Sequence, residues 1–424
     1  RIQKPIPKLT NKNLHFLSQE FEKVVYLNSN SKSNKSYLAL GNISELSVTN
    51  NDSFESLKSF LDNQQDWVFG HFNYDLKNEI EPSLSSINED RIKFPLIGFF
   101  VPKYVVEITE KTNTLHFIKN EDLDVFISFL GEKPKKDTQF HKKTPVLQKM
   151  SKEEYVQKFE KIKENIQQGN CYEMNFCYEF YQENSEINPW ETYQNLNDLT
   201  NAPFSCFYKN KSHYVLSASP ERFLKKEGNK IVSQPIKGTA KRGKTQEEDF
   251  KIKHELENNL KERAENVMIV DLVRNDLSKT AIKSSVKVEE LCKVYTFDTV
   301  HQMISTVTSE IENKTHSVEV LKSTFPMGSM TGAPKVSAMK IIEKLETTKR
   351  GIYSGAIGFF TPNQDFDFNV IIRSILYNSE NKNISFMVGG AITIKANAEQ
   401  EYEETLLKAE ALLKVLENKT KNNG

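Results

Sequence analysis

One stretch of the sequence, Ser233-Gln234-Pro235-Ile236-Lys237-Gly238-Thr239-Ala240-Lys241-Arg242-Gly243, places a lysine between a β-like run and a Gly-Thr turn. Pro235 fixes one backbone dihedral angle, and Gly238 allows the chain to turn with its amide exposed. We therefore predict that Lys237 projects from a rigid stem into a cleft. The two cations that follow would lower the pKa of its amine and make it a nucleophile. The alternative is a surface loop with three solvated cations.

The composition excludes several classes of protein. Lys plus Arg and Asp plus Glu each number 57 in 424 residues, so nothing indicates binding to nucleic acid or an anionic membrane. The four cysteines show neither the spacing of a metal site nor the density of a disulfide framework. No apolar run approaches the roughly 20 residues of a membrane helix, and the first residues lack a signal-peptide core. We expect a cytoplasmic protein with reduced thiols.

The chain divides into two parts at a linker. Residues 1–130 are β-rich with short helices, one of them predicted at residues 54–61. Residues 131–148 are polar, basic and contain proline, which is typical of a linker. Residues 149–424 form the second part, which begins with an amphipathic helix capped by Ser151.

Two predicted helices each carry a pair of glutamates on one face. A long helix at about residues 248–277 presents Glu262 and Glu265, and the final helix presents Glu401 and Glu404. Carboxylate oxygens from two elements, with open positions for water and substrate, suit Mg²⁺ better than zinc. The alternative is two solvated, charged helix faces.

Other segments carry candidate ligand contacts. Thr331 is predicted to cap a helix that begins near Pro334, and exposed amides at a helix start can bind an anion. Residues 353–360 and 366–377 are predicted to form a hairpin, with Arg373 on its partly polar face.

Two more strands are predicted. Residues 384–394 contain Gly389-Gly390, where the backbone can approach a ligand closely. Residues 300–310 carry His301, which lines a pocket or lies in the core or at the surface. The sequence has no Gly-x-Ser-x-Gly elbow, no P-loop and no dinucleotide fingerprint.

These segments contain a series of motifs in a fixed order, from about residue 151 to 416, with a fainter match at residues 70–76. The series resembles the chorismate-utilising enzymes, which include anthranilate synthase component I, aminodeoxychorismate synthase component I, isochorismate synthase and salicylate synthase. The motifs are Ser219-Pro220-Glu221-Arg222-Phe223, Pro235-Ile236-Lys237-Gly238-Thr239, Arg263-Ala264-Glu265-Asn266-Val267-Met268-Ile269-Val270-Asp271-Leu272 with Arg274-Asn275-Asp276, Thr331-Gly332-Ala333-Pro334-Lys335, Arg350-Gly351-Ile352-Tyr353-Ser354-Gly355-Ala356-Ile357-Gly358 and Glu401-Tyr402-Glu403-Glu404-Thr405.

The resemblance implies an α+β fold, with two large packed antiparallel β-sheets and helices on the outside. Residues 1–130 would pack on the same body as the chorismate-binding catalytic part. Within the family, a lysine at Lys237 is typical of the enzymes that make 4-amino-4-deoxychorismate for p-aminobenzoate and folate. Anthranilate synthases are similar but have alanine there. In them, a histidine follows one position later than His301.

The resemblance also implies a mechanism. Lys237 would attack C2 of chorismate while Glu221 protonates the departing C4 hydroxyl, and ammonia would then add at C4 and expel the lysine. Mg²⁺ held by Glu262, Glu265, Glu401 and Glu404 would bind the ring carboxylate. The implied substrate contacts are Arg373, Tyr353, Gly238, Thr239, Gly389, Gly390, Ala391, Lys408, Thr331 and His301.

The ammonia source is not visible in the sequence, because no Gly-x-Cys-x-Gly glutaminase nucleophile occurs. The resemblance therefore implies a separate glutamine amidotransferase subunit, component II. Two alternatives remain open: an anthranilate synthase component I, and a non-catalytic chorismate-binding subunit. The intact lysine, Glu221 and four glutamates argue against the second.

Overall fold

The structure is a computed structural model that describes residues 1–135, 144–298 and 300–417. Two large antiparallel β-sheets make up its centre, and α-helices cover them. The expected α+β class with two packed sheets is therefore confirmed. The middle of the predicted linker and the last residues of the second part lie outside the described residues, and the division at residues 131–148 stays a prediction.

The strands in the described part of the chain are numbered in chain order. They are β1 (Ile2–Ile6), β2 (Lys23–Asn28), β3 (Ser36–Leu40), β4 (Ser44–Val48), β5 (Val68–Phe72), β6 (Ile97–Val101), β7 (Tyr104–Ile108), β8 (Asn113–Phe117), β9 (Leu147–Gln148), β10 (Glu173–Gln182), β11 (Phe204–Asn210), β12 (His213–Ser219), β13 (Arg222–Glu227), β14 (Lys230–Gln234), β15 (Ile236–Lys241), β16 (Lys287–Thr296), β17 (Val300–Glu310), β18 (Gly332–Ala333), β19 (Ala356–Phe360), β20 (Phe366–Asn369), β21 (Ser374–Asn378) and β22 (Asn383–Thr393).

The helices are numbered in the same way. They are α1 (Asn11–Glu20), α2 (Ser53–Gln64), α3 (Lys77–Ile80), α4 (Glu121–Leu130), α5 (Lys152–Gln167), α6 (Pro189–Thr200), α7 (Gln246–Glu257), α8 (Leu260–Ser278), α9 (Ser317–Thr324), α10 (Lys335–Leu345) and α11 (Ala398–Leu416). Within the residues that the structure describes, none of these helices has the length and apolar character needed to cross a membrane.

Strands from early and late in the chain share both sheets. Sheet I has the order β1-β8-β7-β3-β2-β11-β12-β21-β22-β10-β18, and β9 also pairs with β10. Sheet II has the order β15-β17-β14-β13-β20-β19-β5-β6-β4, and β16 also pairs with β17. Strand β2 pairs with β11, and β5 pairs with β19, so residues before the linker complete sheets that residues after it begin.

Apolar side chains fill both the space between the sheets and their outer faces. One core cluster joins Val25 and Ala39 of sheet I to Phe69 of sheet II, and it continues to α2, α8 and α9. A second cluster packs α5, α6, α10 and α11 against the outer face of sheet I. Polar contacts also cross between the sheets; in one of them, His71 Nδ1 lies 2.8 Å from Tyr208 Oη. Burial lowers the pKa of His71 to about 3, so this contact is uncharged at neutral pH.

Several local predictions agree with the structure. Helix α2 includes the predicted residues 54–61. Ser151 caps α5 through a hydrogen bond from the Glu154 amide, and the Glu154 side chain accepts from the Ser151 amide. Residues 300–310 form β17 as predicted.

The single long helix at residues 248–277 was a wrong prediction, because two helices occupy that stretch. Helix α7 ends at Glu257, and Asn259 then starts α8 by accepting hydrogen bonds from the amides of Lys261 and Glu262. An asparagine side chain that binds backbone amides favours a helix start over a helix interior. Because α8 begins at Leu260, Glu262 lies in its first turn and Glu265 in its second turn.

The predicted strand at residues 366–377 is also interrupted. Strand β20 pairs with β19 in sheet II, but β21 pairs with β12 in sheet I. Between them the chain crosses from one sheet to the other, and Arg373 adopts a left-handed backbone conformation with φ of 52°. The expected place of Arg373 on the partly polar face of one continuous strand is therefore wrong, because a residue at positive φ breaks the period of two.

Thr331 does not cap a helix. Residues 332–333 form the short strand β18, and α10 begins only at Lys335, with Pro334 in the capping position. The buried Thr331 hydroxyl donates to the carbonyls of Met327 and Gly328 instead. It stabilises the turn before α10.

Replacing Asn259 tests its role as the start of α8. We expect Asn259→Ala to lower the free energy of unfolding by about 1 kcal/mol, because two backbone amides lose their acceptor. Asn259→Asp keeps an acceptor and should stay close to the wild type in the same denaturant titration. Equal stability of all three proteins would contradict the capping role.

Candidate active site

Lys237 lies where the two sheets face each other. It belongs to β15 at one end of sheet II, and its ammonium Nζ is 3.0 Å from Oε1 of Glu173, which begins β10 near one end of sheet I. Glu173 is buried, and the Lys237 side chain is only 12% exposed. Gly238 has φ of 86° at an irregularity in the pairing of β15 with β17, so the predicted Gly-Thr turn is instead a bulge within a strand.

The pKa of Lys237 is raised, which corrects the expectation that neighbouring cations lower it. Burial acts to lower this pKa, but the charges of Glu173, Glu265 and Glu221 act more strongly in the other direction. The predicted helper Arg242 pairs with Asp249 at 2.8 Å on the surface. The resting amine is therefore an ammonium held by an ion pair.

Glu221 supplies a carboxyl group suited to donate and accept protons near neutral pH. It sits between β12 and β13, where its amide donates to the Ser219 hydroxyl and its carbonyl accepts from the Val370 amide. Burial raises the pKa of Glu221 to about 7, although the Ser329 hydroxyl and the charge of Lys237 oppose the shift. The Ser329 hydroxyl lies close enough to influence the pKa of Glu221, but it forms no well-aligned hydrogen bond.

The two predicted glutamate pairs approach each other through a lysine that the sequence argument did not use. Lys261 Nζ lies 2.9 Å from Glu401 Oε1 and 4.0 Å from Glu265 Oε1, and so joins α11 to α8. Glu404 is bound by Lys408 at 2.7 Å. All four predicted carboxylates thus surround one region, with lysines between them.

Burial and mutual repulsion raise the pKa of two of these acids. Burial, followed by the charge of Glu404, raises the pKa of Glu262, and burial raises the pKa of Glu265 to about 7. Burial also acts to raise the pKa of Glu404, but Lys408 outweighs it and leaves the value lowered. A cation bound here would relieve the repulsion.

The residues present suit Mg²⁺ chemically. Oxygen donors from two helices are available, and Oε1 of Glu265 is buried without a hydrogen-bond partner. Among residues 1–135, 144–298 and 300–417, however, no three His, Cys, Asp or Glu side chains are already gathered as a metal site. The magnesium site stays a prediction, and it requires the carboxylates to turn away from their lysines.

The predicted contacts for the enolpyruvyl carboxylate also lie together. Arg373 Nη1 donates to the Lys408 carbonyl at 3.1 Å, and Lys408 Nζ donates to the Gly389 carbonyl at 3.0 Å. Gly390 and Ala391 continue along β22. The Tyr353 hydroxyl is 3.8 Å from the thiol sulfur of Cys177, a residue of β10. Burial lowers the pKa of Arg373, whereas Tyr353 and Glu404 act to raise it.

Three predicted substrate contacts have other partners. His301 is buried and bonds to Thr296 Oγ1 at 3.0 Å and to Asp249 Oδ1 at 2.9 Å, so it belongs with the surface pair of Arg242. Thr239 pairs with Gln302 in sheet II. Thr331 binds backbone carbonyls, as described above.

Sequence reasoning missed the residues that hold the site in place. Glu173 is one, and an acid at the start of β10, a strand rich in aromatic residues, was a usable signal. A buried pair is another: Arg350 Nη2 binds Glu346 at 2.6 Å and the Asn175 carbonyl at 3.0 Å, and its Nη1 binds the Met330 carbonyl at 2.6 Å. This arginine ties the loop before β18 to β10.

Comparison with known proteins agrees with the motif series. Residues 22–414 match the chorismate binding enzyme family. The chain belongs to that family. An aminodeoxychorismate synthase component 1 from Escherichia coli strain K12 is 35% identical over 356 residues, which cover 83% of this chain and 77% of that protein.

Two further relatives come from the anthranilate branch of the family. An anthranilate synthase component 1 from Aquifex aeolicus strain VF5 is 37% identical over 267 residues, which cover 63% of this chain and 53% of the relative. The crystal structure of anthranilate synthase component I from Streptococcus pneumoniae TIGR4 has a TM-score of 0.78 at 25% identity. The match covers 89% of this chain and 92% of that one. The chain is therefore a chorismate-utilising enzyme. Its fold is that of anthranilate synthase component I.

The ion pair of Lys237 can be tested by removing its acid. We expect Glu173→Gln to lower the pKa of Lys237, because an anion that stabilises the ammonium is lost. The pKa of Lys237 is measured from the pH dependence of its acylation by a small amine-reactive reagent, and the acylated fraction is followed by mass spectrometry. Glu183→Gln, at an exposed position shortly after the same strand, is the control. An unchanged pH dependence in Glu173→Gln would contradict the structure.

The buried charge of Glu265 should be visible in stability. A carboxyl whose folded pKa is raised to about 7 disfavours the folded state as pH rises through that value. In metal-free buffer we expect Glu265→Gln to gain about 3 kcal/mol relative to the wild type between pH 5 and pH 8, on 1.36 kcal/mol per pKa unit. The exposed Glu403→Gln should show no such trend in denaturant titrations. A Glu265→Gln difference that does not depend on pH would refute the buried charge.

Proposed function

We propose that the chain aminates chorismate with ammonia to give 4-amino-4-deoxychorismate, the precursor of p-aminobenzoate and folate. The observation that carries the proposal is the buried Lys237–Glu173 pair with Glu221 acting on the same lysine. It places an amine nucleophile and a proton donor in one enclosed site. The E. coli relative named aminodeoxychorismate synthase component 1 supports the same reaction.

Substrate binding would use the charges on the two sides of the site. Arg373, with the backbone at Gly389 to Ala391, suits the enolpyruvyl carboxylate, because a guanidinium can bind a carboxylate through two hydrogen bonds. The ring carboxylate would lie near Lys408 and the glutamates. Glu262, Glu265, Glu401 and Glu404 would hold Mg²⁺, which when bound neutralises charge on that carboxylate.

The first chemical step would form a covalent adduct. Lys237 passes a proton to Glu173, its partner at 3.0 Å, and the free amine attacks C2. The ring double bonds shift, the C4–O bond breaks, and Glu221 protonates the departing hydroxyl to water. A carboxyl with a pKa of about 7 is a proton donor of suitable strength for this task.

The second step would reverse the electron flow. Ammonia attacks C4, the C2–N bond breaks, and the electron pair returns to the Lys237 nitrogen. Glu221, now a carboxylate, takes the proton released from the new amine, and Glu173 returns its proton to Lys237. The sum is chorismate plus ammonia giving aminodeoxychorismate plus water, with all three groups restored.

A separate glutaminase would supply the ammonia. The E. coli relative is named a component 1, and that name supports a second component in its assembly. For this chain we propose a glutamine amidotransferase subunit that hydrolyses glutamine and delivers ammonia across an interface.

Anthranilate formation is the second candidate, because relatives named anthranilate synthase are as similar over the catalytic part. Lys237 argues against it. In an anthranilate synthase the ammonia itself would attack C2, and a lysine held at that position would compete with it.

Product analysis tests the proposal. Purified protein with chorismate, Mg²⁺ and ammonium at high pH should give aminodeoxychorismate, which an added lyase converts to p-aminobenzoate. Lys237→Ala should abolish this product, and Glu221→Gln should lower its rate by about 10²- to 10⁴-fold. Lys241→Ala, the exposed cation on the same strand, is the matched control and should stay active.

The alternatives give different results in the same assay. Anthranilate as the product would overturn the role of Lys237 while leaving the family intact. No turnover of chorismate would favour a binding subunit without catalysis.

A further inference from the structure

A small cavity adjoins the active site at Glu221. Glu221 lines it, but Lys237, Arg373 and the four glutamates of the metal region do not. We name it the rear cavity. Its other walls come from the start of β13, the C-terminal end of α8 with Val273 and Asp276, and the loop after α9 with Gly328 and Ser329. None of the predicted substrate contacts is among its lining residues.

The size of the rear cavity suits one small molecule. It offers about 20 Å³ to the centre of a water-sized guest, and one such guest needs roughly 10–15 Å³. Ammonia is as small as water, whereas chorismate is far larger. The cavity can therefore hold the small co-substrate of the proposed reaction but not the large one.

Most polar groups in the walls already have partners. Asp276 binds Lys279 at 2.9 Å and also Lys335, and the Thr324 hydroxyl donates to backbone carbonyls. The exception is Ser329, whose hydroxyl is buried and has no hydrogen-bond partner of good geometry. A guest would therefore lie beside the buried Ser329 hydroxyl and the Glu221 carboxyl, which both line the cavity. A neutral guest would not be trapped at Asp276, because two lysines already satisfy that charge.

One wall of the cavity lies near the surface. Lys279, the partner of Asp276, is 47% exposed, whereas Asp276 itself is buried. The side chains of Val273, Leu277 and Met327 make part of the cavity wall apolar. Apolar walls favour a neutral base over its charged conjugate acid.

We propose that the rear cavity is the chamber from which ammonia reaches Glu221 and C4 of the bound substrate. This inference rests on the proposed function. Ammonia waits between Ser329 and Glu221 after water has left C4. Its lone pair attacks C4 while the Glu221 carboxylate takes one of its protons, so the group that needs a proton lies beside the group that releases one. Val273 and Gly328 then set the access of ammonia without contacting chorismate.

Filling the cavity tests the inference. Val273→Phe adds a ring from α8. Gly328→Ala adds a methyl in the loop, where the new Cβ would lie 3.3 Å from Cβ and 3.6 Å from Cδ1 of Leu272, so Leu272 has to shift slightly. Initial rates are measured with ammonium chloride and with chorismate varied separately. We expect the KM for ammonium to rise about tenfold or more, while the KM for chorismate stays within about twofold. Val273→Ala, which opens the cavity, should not raise the ammonium KM.

The remaining outcomes overturn the inference. If kcat falls while the ammonium KM is unchanged, the cavity serves only the departure of water or the packing of α8. If neither constant moves, ammonia arrives by another path. Should Val273→Phe fail to fold, Gly328→Ala decides alone. A wild-type protein that makes no aminodeoxychorismate refutes the proposed function instead, so the two failures are distinguishable.

Discussion

The ion pair between Lys237 and Glu173 connects the two sheets at the point where the chemistry would occur. One partner comes from β15 in sheet II and the other from β10 in sheet I. Taking two charges out of water is costly, and the cost is met only where geometry brings them into contact. The rest of the site is consistent with this constraint. The bulge at Gly238 sets the position of the lysine, and the buried Arg350–Glu346 pair holds β10 and the neighbouring loop in place.

The site also has an excess of acids. Glu173, Glu221 and the glutamates of α8 and α11 face four cations: Lys237, Lys261, Lys408 and Arg373. The contact with Lys408 leaves the pKa of Glu404 lowered, whereas burial raises the pKa of Glu221 and of Glu265 to about 7. In the proposed function, this excess would provide one carboxyl for proton transfer and several for a divalent ion. Burial is the largest cause of the raised pKa values of Glu221 and Glu265.

The sequence predicted much of this site because its chemistry is carried by short motifs. Lys237, Glu221, the four glutamates, Arg373 and Lys408 lie near one another as the resemblance implied. Predictions that needed three-dimensional context failed. The apolar periodicity of residues 248–277 predicted one continuous helix, but Asn259 starts a second helix there. Arg373 lies where the chain crosses from sheet II to sheet I, and an alternating sequence pattern cannot reveal such a crossing. The pKa of Lys237 depends on Glu173, which is 64 residues away in sequence. Such a partner is invisible to an argument from neighbouring residues.

Both sheets are made from distant parts of the chain, and this affects how the protein is made in a cell. Strand β2 needs β11, β5 needs β19, and β10 needs β22 as its neighbour. During synthesis, the early strands leave the ribosome with unpaired edges, and their partners are translated about 180 to 290 residues later. Pairing over such distances is slow, and open strand edges invite association with other chains. Neither sheet can be completed until nearly the whole chain has emerged, so the early strands stay without their partners for most of translation.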